Sequence, residues 1–150
     1  MAQFETSVAI PCSLESAYDF LLRPANVKLI TPPEVGLHFE AAPEVIGLGD
    51  KLEFKIQGFG QVQTFLHQIT ALDPHHLISE KQLKGLFGRW EHDHLFALNG
   101  NSEVVITDRI EFDPPSGLLG FLVTKKKILE YLEEGFEHRQ ERLRKLLAAG

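Results

Sequence analysis

The chain has 150 residues, of which 43% are hydrophobic and 24% charged, and its formal net charge is −6. This size and composition fit one folded domain with a core and exclude a disordered chain. The negative charge argues against nucleic-acid binding, and the single cysteine, Cys12, excludes a disulfide framework and a multi-thiolate metal site.

The sequence also carries a prediction about location. No apolar run approaches the roughly 20 residues that are needed to cross a bilayer. The first residues lack the basic segment and the long apolar segment of a signal peptide. We therefore expect a cytoplasmic protein.

The first thirty residues predict one strand followed by two short helices. Apolar and polar residues alternate over residues 4–10, as they do in a half-buried strand. Ser13 is suited to cap a helix over residues 14–22. Pro24 can open a second short helix over residues 25–30, because proline is tolerated at the first helical position.

The middle of the chain predicts six strands, because its apolar residues recur with a period of two. These strands cover residues 36–41, 51–57, 61–72, 76–82, 89–98 and 103–112. Short connections between consecutive strands predict antiparallel neighbours. Asn99-Gly100 predicts a two-residue type I′ hairpin, in which both residues take positive φ.

The end of the chain predicts one long helix over residues 118–149. Its apolar residues form a stripe at helical spacing, and the mixed charges of residues 133–145 predict a solvent-exposed opposite face. Even a helix that starts at Thr124 would span about 37 Å. Because only this element is large enough to cover one face of the sheet, we predict an α+β domain with a cavity between sheet and helix.

The element order and several local motifs resemble a known superfamily. The motifs are Ile10-Pro11, Thr31-Pro32-Pro33, the run GRWEHDHLF at residues 88–96, Asp108, and PSGLLG at residues 115–120. The whole chain resembles the helix-grip fold of the START-like, or SRPBCC, superfamily, which includes birch-pollen-allergen-like proteins and polyketide cyclases. The motifs resemble a bacterial ligand-binding branch of it. The resemblance implies one domain over residues 1–150, in which a curved seven-stranded antiparallel sheet wraps around the C-terminal helix and two short helices join strands 1 and 2.

Strand alternation places a group of polar residues on the inner face of the sheet. Trp90 and Phe96 mark the inner face of their strand, which then also carries His92 and His94. Asp108 shares a face with four apolar residues of the last strand. The same reasoning turns three further polar side chains inward, those of His67, Glu80 and Gln82.

The sequence leaves four interpretations of this polar group open. The side chains either satisfy one another's hydrogen bonds and fix the sheet, or they orient a ligand. A metal is the third interpretation, because His-x-His places two imidazoles on one face and Asp108 or Glu80 could complete a three-ligand site. Proton transfer is the fourth, with His92 or His94 as the shuttle and Asp108 as its orienting partner.

Large apolar residues in or beside turns form a second candidate feature. In an antiparallel meander of this order, these turns lie at the same end of the sheet. The side chains either pack under one another or form a rim around the cavity mouth that gates ligand entry, touches a membrane or pairs with a partner. They are Phe59, Leu86, Phe87, Leu118, Leu119 and Phe121.

Together these observations predict that the protein binds a small hydrophobic or amphipathic molecule in an internal cavity. The alternatives are a cyclase or dehydratase that uses His92, His94 and Asp108 as catalytic residues, and an interaction protein that uses the apolar rim. We expect no cofactor and no resident metal, a monomer or homodimer, and at most a secondary contact with membranes. The expected ligand-binding residues are Phe54, Phe65, His67, Glu80, Gln82, Trp90, His92, His94, Phe96, Asp108, Leu132 and Phe136.

Overall fold

The structure, a computed structural model, describes residues 1–148. Its strands are β1 (Ala2–Ile10), β2 (His38–Ala41), β3 (Lys51–Gly58), β4 (Gln61–Asp73), β5 (Leu77–Lys84), β6 (Arg89–Asn99) and β7 (Glu103–Asp113). Its helices are α1 (Leu14–Leu21), α2 (Pro24–Leu29), α3 (Leu119–Leu122) and α4 (Lys125–Leu147), and a short 3₁₀ turn covers Pro33–Val35. The predicted helix end at Ala149 lies outside the described residues.

The seven strands form one antiparallel sheet in the order β1-β7-β6-β5-β4-β3-β2. Strands β2 to β7 are a meander in which each strand pairs with the next, whereas β1 pairs with β7. The first two strands therefore lie at opposite edges, and α1 and α2 connect them. This arrangement confirms the predicted α+β helix-grip fold.

The C-terminal helical region differs from the single predicted helix over residues 118–149. Helix α3 ends at Leu122, and Val123 leaves the helical conformation with φ −110° and ψ 80°. Thr124 is extended and its hydroxyl accepts a hydrogen bond from the backbone N–H of Lys127 at 3.3 Å. A threonine in this conformation caps a new helix, so α4 starts afresh after it.

The turn between β6 and β7 also differs from the predicted type I′ hairpin. Asn99 pairs with Glu103, so three residues separate the strands. Only Gly100 takes positive φ, at 71°, whereas Asn99 stays in the strand. The Asn99 amide donates to the Glu103 carboxylate at 3.3 Å, across the last residue pair of the two strands.

The core consists of two apolar clusters. The first packs α1 and the end of α4 against the sheet and includes Ile106, and the second packs the start of α4 against the sheet and includes Ile110. Asp108 lies between these two isoleucines on the same face of β7 and is also buried. The core therefore contains a polar layer between two apolar ones. None of the helices within residues 1–148 is long and apolar enough to span a membrane.

Candidate functional site

Strand register brings four polar side chains to one place on the inner face of the sheet. Glu80 of β5 is the cross-strand partner of His92, and Asp108 of β7 is the partner of His94. His92 and His94 share a face of β6 because two residues separate them, and their rings stack with centroids 3.9 Å apart. The rigid sheet therefore fixes the positions of this set, as strand alternation predicts.

These side chains and His67 form a continuous chain of contacts. His67 Nδ1 lies 2.8 Å from Glu80 Oε2, and Glu80 Oε1 lies 3.1 Å from His94 Nε2. The other nitrogen of His94, Nδ1, lies 2.9 Å from Asp108 Oδ1. The same carboxylate oxygen accepts a hydrogen bond from His92 Nε2 at 2.8 Å. Both nitrogens of His94 thus face a carboxylate. His92 differs, because its Nδ1 lies 3.9 Å from Glu80 Oε1, too far for a hydrogen bond.

A sixth polar side chain, Arg139 of α4, completes the cluster and corrects one prediction. Its guanidinium Nη2 lies 3.7 Å from Asp108 Oδ1, and the group packs over the ring of Phe136 at 5.2 Å. The mixed charges of residues 133–145 predicted an exposed face, but only 11% of the Arg139 side chain is exposed. Arg139 follows Phe136 by three residues and precedes the buried Leu143 by four, which is the spacing of the buried face. This spacing is the feature of the sequence that places Arg139 on the buried face of α4.

Burial and neighbouring charges shift the pKa values of the carboxyl groups. Burial acts to raise the pKa of Asp108, but the charge of Arg139 and the hydrogen bonds from His92 and His94 outweigh it and hold this pKa well below its usual range. Burial also acts to raise the pKa of Glu80, and the contacts with His67 and His94 again hold it well below the usual range. Both groups are therefore carboxylates at neutral pH.

The pKa values of the two stacked imidazoles are shifted in opposite directions. Burial, together with the neighbouring charge of His94, lowers the pKa of His92 to about 4. Burial also acts to lower the pKa of His94, but its hydrogen bonds to Asp108 and Glu80 raise it above the ordinary value. The pair therefore consists of one neutral ring and one ring that favours the protonated form.

A pocket of about 220 Å³ adjoins the polar cluster. Helices α1 and α2, the strands and α4 all contribute to its wall. Its polar lining residues are His67, Glu80, His92, His94 and Arg139. Its apolar lining residues are Leu21, Pro24, Val27, Leu37, Phe39, Ile46, Leu52, Phe54, Ile69, Ile78, Trp90, Ile110 and Phe136. The pocket is thus mainly apolar with one polar end.

Most of the predicted ligand-binding residues line this pocket. They are Phe54, His67, Glu80, Trp90, His92, His94 and Phe136. Asp108 lies behind the two stacked histidines, which it contacts directly. Sequence reasoning missed Arg139 and the contribution of α1 and α2, because the apolar residues of two short helices do not show which one faces a pocket.

Four of the predicted ligand-binding residues pack away from the pocket. Phe65 stacks between Phe54 and Phe87 at 5.4 and 5.9 Å, and Phe96 packs on Tyr18 at 5.3 Å. The Gln82 amide donates to the backbone carbonyl of Phe87 at 2.8 Å and so holds the turn after β5. Leu132 lines a separate surface groove together with residues 30–35. None of these four is among the side chains that line the pocket.

The six predicted rim residues divide into two groups, and none of them lines the pocket. Phe59, Leu86 and Phe87 are partly buried against the second core cluster, where Phe87 stacks on Trp90 at 4.6 Å. Leu118, Leu119 and Phe121 are exposed at the start of the C-terminal region, where 85%, 44% and 79% of their surface reaches solvent. A rim around the pocket mouth stays a prediction.

Comparison with known proteins shows similarity of fold. No protein-family model and no curated protein matches the sequence. A protein of Chromobacterium violaceum is 16% identical and aligns over 99% of both chains with a TM-score of 0.74. A START superfamily protein from Mycobacterium smegmatis is 14% identical over 98% of this chain and 97% of its own, with a TM-score of 0.73. The major latex-like protein 151 of Panax ginseng is 14% identical over 93% and 95%, with a TM-score of 0.67. The START-like fold expected from the sequence is thus confirmed.

Proposed function

We propose that this protein binds a small amphipathic molecule in the pocket between the sheet and α4. The START-like fold supports a general ligand-binding role. The observation that carries the proposal is the composition of the pocket wall, which is apolar except for the histidine, glutamate and arginine side chains at one end. A few polar groups in an apolar wall are the usual composition of a site that encloses and orients a ligand.

The volume of the pocket limits the size of the ligand. A buried cavity of about 150 Å³ is enough to hold benzene. The 220 Å³ found here therefore suits a single ring with a short substituent, or a short chain. Burial of such a molecule against the apolar wall contributes about 25 cal/mol for each Å² of apolar surface that leaves water.

Arg139 determines the polarity expected of the ligand. Its Nε is buried and has no hydrogen-bond partner among the described residues. An unmet buried donor costs about 1–3 kcal/mol. The Arg139 side chain is 11% exposed and lines the pocket, so its guanidinium would donate to an oxygen of a ligand there. We therefore expect the ligand to carry a carboxylate or carbonyl group that accepts a hydrogen bond from Arg139.

The fluorescence of Trp90 provides a direct test, because this is the only tryptophan of the chain and it lines the pocket. Titration with benzoate, a single-ring carboxylate, should change the Trp90 emission until it saturates. Arg139→Gln should weaken benzoate binding by about 10- to 100-fold, the value of one charge-assisted hydrogen bond. Arg144→Gln, a change of an exposed arginine on the same helix, should leave binding unchanged.

Two further measurements accompany this titration. Circular dichroism must show that each variant keeps its fold. Native mass spectrometry of freshly purified protein should reveal a small-molecule adduct that is lost on denaturation. If the protein carries no adduct and neither benzoate nor its neutral analogue benzamide saturates the Trp90 signal, the proposal fails.

A second surface, separate from the pocket lining, is suited to contact an anionic membrane. Leu118, Phe121 and Leu122 are exposed in or beside α3, with 85%, 79% and 65% of their surface accessible. Three exposed lysines follow at residues 125–127, in a chain whose net charge is −6. Apolar side chains beside a local positive charge are the combination that holds a protein at an anionic interface.

Vesicle flotation tests this contact. The protein should float with phosphatidylserine-containing vesicles and much less with pure phosphatidylcholine vesicles. Phe121→Ser should reduce flotation several-fold, whereas Leu98→Ser, a change of an exposed leucine on β6, should not. Equal flotation of both variants would show that this surface does not hold the protein at the vesicle, and no flotation of the wild type would exclude the membrane contact altogether. Concentration-dependent dimers lost in Phe121→Ser would assign the surface to a second copy of the chain instead.

A further inference from the structure

We propose that Glu80, His92 and His94 form a binding site for a divalent transition metal such as Zn²⁺. One ligand atom from each of these side chains lies within 4.8 Å of those of the other two. Within residues 1–148, no other set of three histidine, cysteine or acidic side chains converges in this way. This inference departs from the sequence expectation of no resident metal, and it does not depend on whether the pocket holds an organic ligand.

The distances from Glu80 to the two histidines are close to those of a metal site. Zinc lies about 2.0–2.2 Å from histidine nitrogens and carboxylate oxygens, which places neighbouring ligand atoms about 3.4 Å apart in a tetrahedron. Glu80 Oε1 lies 3.1 Å from His94 Nε2 and 3.9 Å from His92 Nδ1. These two separations bracket the tetrahedral value. The two rings stack at 27° to each other, so they would rotate to turn both nitrogens toward one ion.

The atoms that would not touch the metal are all held by other groups. His92 uses Nε2 and His94 uses Nδ1 to contact Asp108 Oδ1, at 2.8 and 2.9 Å. The second oxygen of Glu80 accepts a hydrogen bond from His67 at 2.8 Å. Metal-binding histidines usually donate their remote N–H to a carboxylate in this way, because the contact fixes the ring and its tautomer. One carboxylate here orients both rings.

The net charge of the cluster and the rigidity of the strands that carry the three ligands both favour metal binding. With neutral imidazoles, the two carboxylates and Arg139 leave the cluster with one net negative charge, which a divalent cation would offset. The three proposed ligands lie on the adjacent strands β5 and β6, where Glu80 pairs with His92 and the sheet fixes the backbone. Sites built on such elements hold their ligands more precisely than sites on loops.

The ligand types restrict which metals fit. Two imidazoles and one carboxylate suit Zn²⁺ and neighbouring transition metals, whereas Ca²⁺ and Mg²⁺ require more oxygen ligands. All three residues also line the 220 Å³ pocket. A fourth coordination position would therefore open into the pocket, as it does in zinc sites that bind a small molecule directly.

The test is a titration of the full-length protein with zinc after treatment with a chelator. We expect isothermal titration calorimetry and native mass spectrometry to give one zinc per chain. Glu80→Gln and His94→Gln, which keep the size of the side chain, should each weaken zinc binding by about 100-fold or more. Loss of a group that merely orients a ligand costs about 10- to 100-fold, so His67→Gln should have this smaller effect.

A matched control separates this site from surface binding. His38 and Glu40 lie 3.8 Å apart on the surface and are the kind of pair that holds zinc loosely. His38→Gln should leave the affinity unchanged. The visible absorption of bound Co²⁺ should indicate tetrahedral coordination in the wild type and in His38→Gln, but not in His94→Gln.

Three results would overturn the proposal. The first is a wild-type protein that binds no zinc, a result that needs no variant to fold. The second is zinc binding that persists at full strength in both Glu80→Gln and His94→Gln. The third is a loss in His38→Gln equal to that in His94→Gln, because zinc would then bind to the surface pair.

Discussion

At the level of single residues, the polar layer of the core depends on how the buried charge of Asp108 is compensated. It has 1% of its surface exposed and lies between the two apolar clusters. Its carboxylate contacts His92, His94 and Arg139. A buried charge is tolerated when hydrogen bonds and opposite charge replace water around it. Asp108 therefore contributes to stability only together with these three partners.

Replacing Asp108 by asparagine tests this dependence. Asp108→Asn keeps the shape of the side chain but leaves Arg139 without its buried counter-charge, so the free energy of unfolding should fall by about 3–5 kcal/mol. Urea denaturation measures this change. As a control, Glu5→Gln breaks the exposed contact between Glu5 and Arg109 and should cost less than about 1 kcal/mol. Equal losses in the two variants would contradict the assigned role of Asp108.

The two histidine pKa values predict opposite effects of pH on stability. Between about pH 6.5 and 4, His92 takes up a proton in the unfolded chain but not in the folded protein, so the free energy of unfolding falls as the pH is lowered. His94 has a raised pKa, so its contribution is complete below pH 6.5 and is lost as the pH rises above 6.5 through the raised pKa of the folded protein. Glu80 and Asp108 have lowered pKa values and add a further loss in stronger acid.

We therefore expect the metal-free protein to be most stable near pH 6.5. Thermal melting with a chelator present, at intervals between pH 4 and pH 8, measures the profile. His92→Gln should flatten the acid side, since glutamine takes up no proton, and should leave the decline on the alkaline side in place. A wild-type melting temperature that stays constant from pH 6.5 down to 4 would show that His92 is not held neutral.

At the level of elements, two glycines have opposite roles. Gly100 takes φ of 71° in the turn between β6 and β7, a conformation that other L-residues reach at a cost of about 1–2 kcal/mol. Gly135 lies inside α4, where a glycine is less favourable than alanine by about 0.5–1 kcal/mol. No neighbouring atom lies within 4 Å of the position that a methyl group at Gly135 would occupy. The same substitution should therefore change stability in opposite directions.

The expected result is that Gly100→Ala lowers the free energy of unfolding by about 1–2 kcal/mol. Gly135→Ala should raise it by about 0.5–1 kcal/mol. Each variant is the control for the other, because both add one methyl group and neither meets a close neighbour there. A loss of stability in Gly135→Ala would mean that the groove beside α4 cannot accept the methyl group.

Strands were more predictable than the details of the site, for a physical reason. Along β7 every second residue is buried, and this alternation is visible in the sequence itself. The contact of Arg139 with Asp108 joins residues of two distant elements, and it becomes visible only when α4 packs on the sheet. Similarly, Gln82 satisfies the strand pattern, yet its amide bonds the turn at Phe87, because it lies near the end of β5 beside a shift in register.

At the level of the whole molecule, α4 separates two hollow regions. One is the 220 Å³ pocket against the sheet, and the other is a surface groove of about 230 Å³ between α4 and residues 30–35. Phe136 and Arg139 line both regions. Phe136 is 8% exposed, and the centroid of its ring lies 5.4 Å from that of Phe4 and 5.9 Å from that of His92. It therefore forms part of the wall through which a ligand from solvent would reach the pocket.

Removal of this ring should join the two regions. We expect Phe136→Ala to accelerate benzoate binding about 10-fold or more in stopped-flow measurements of Trp90 emission, because entry would no longer wait for α4 to move. The same change should lower the free energy of unfolding by about 3–5 kcal/mol, the usual cost of removing a buried phenylalanine. Leu146→Ala, at the far end of α4 and 37% exposed, should change the rate of benzoate binding by no more than about twofold. If benzoate enters wild type and Phe136→Ala at the same rate, Phe136 does not control access, and the route must pass elsewhere between the helices and the sheet.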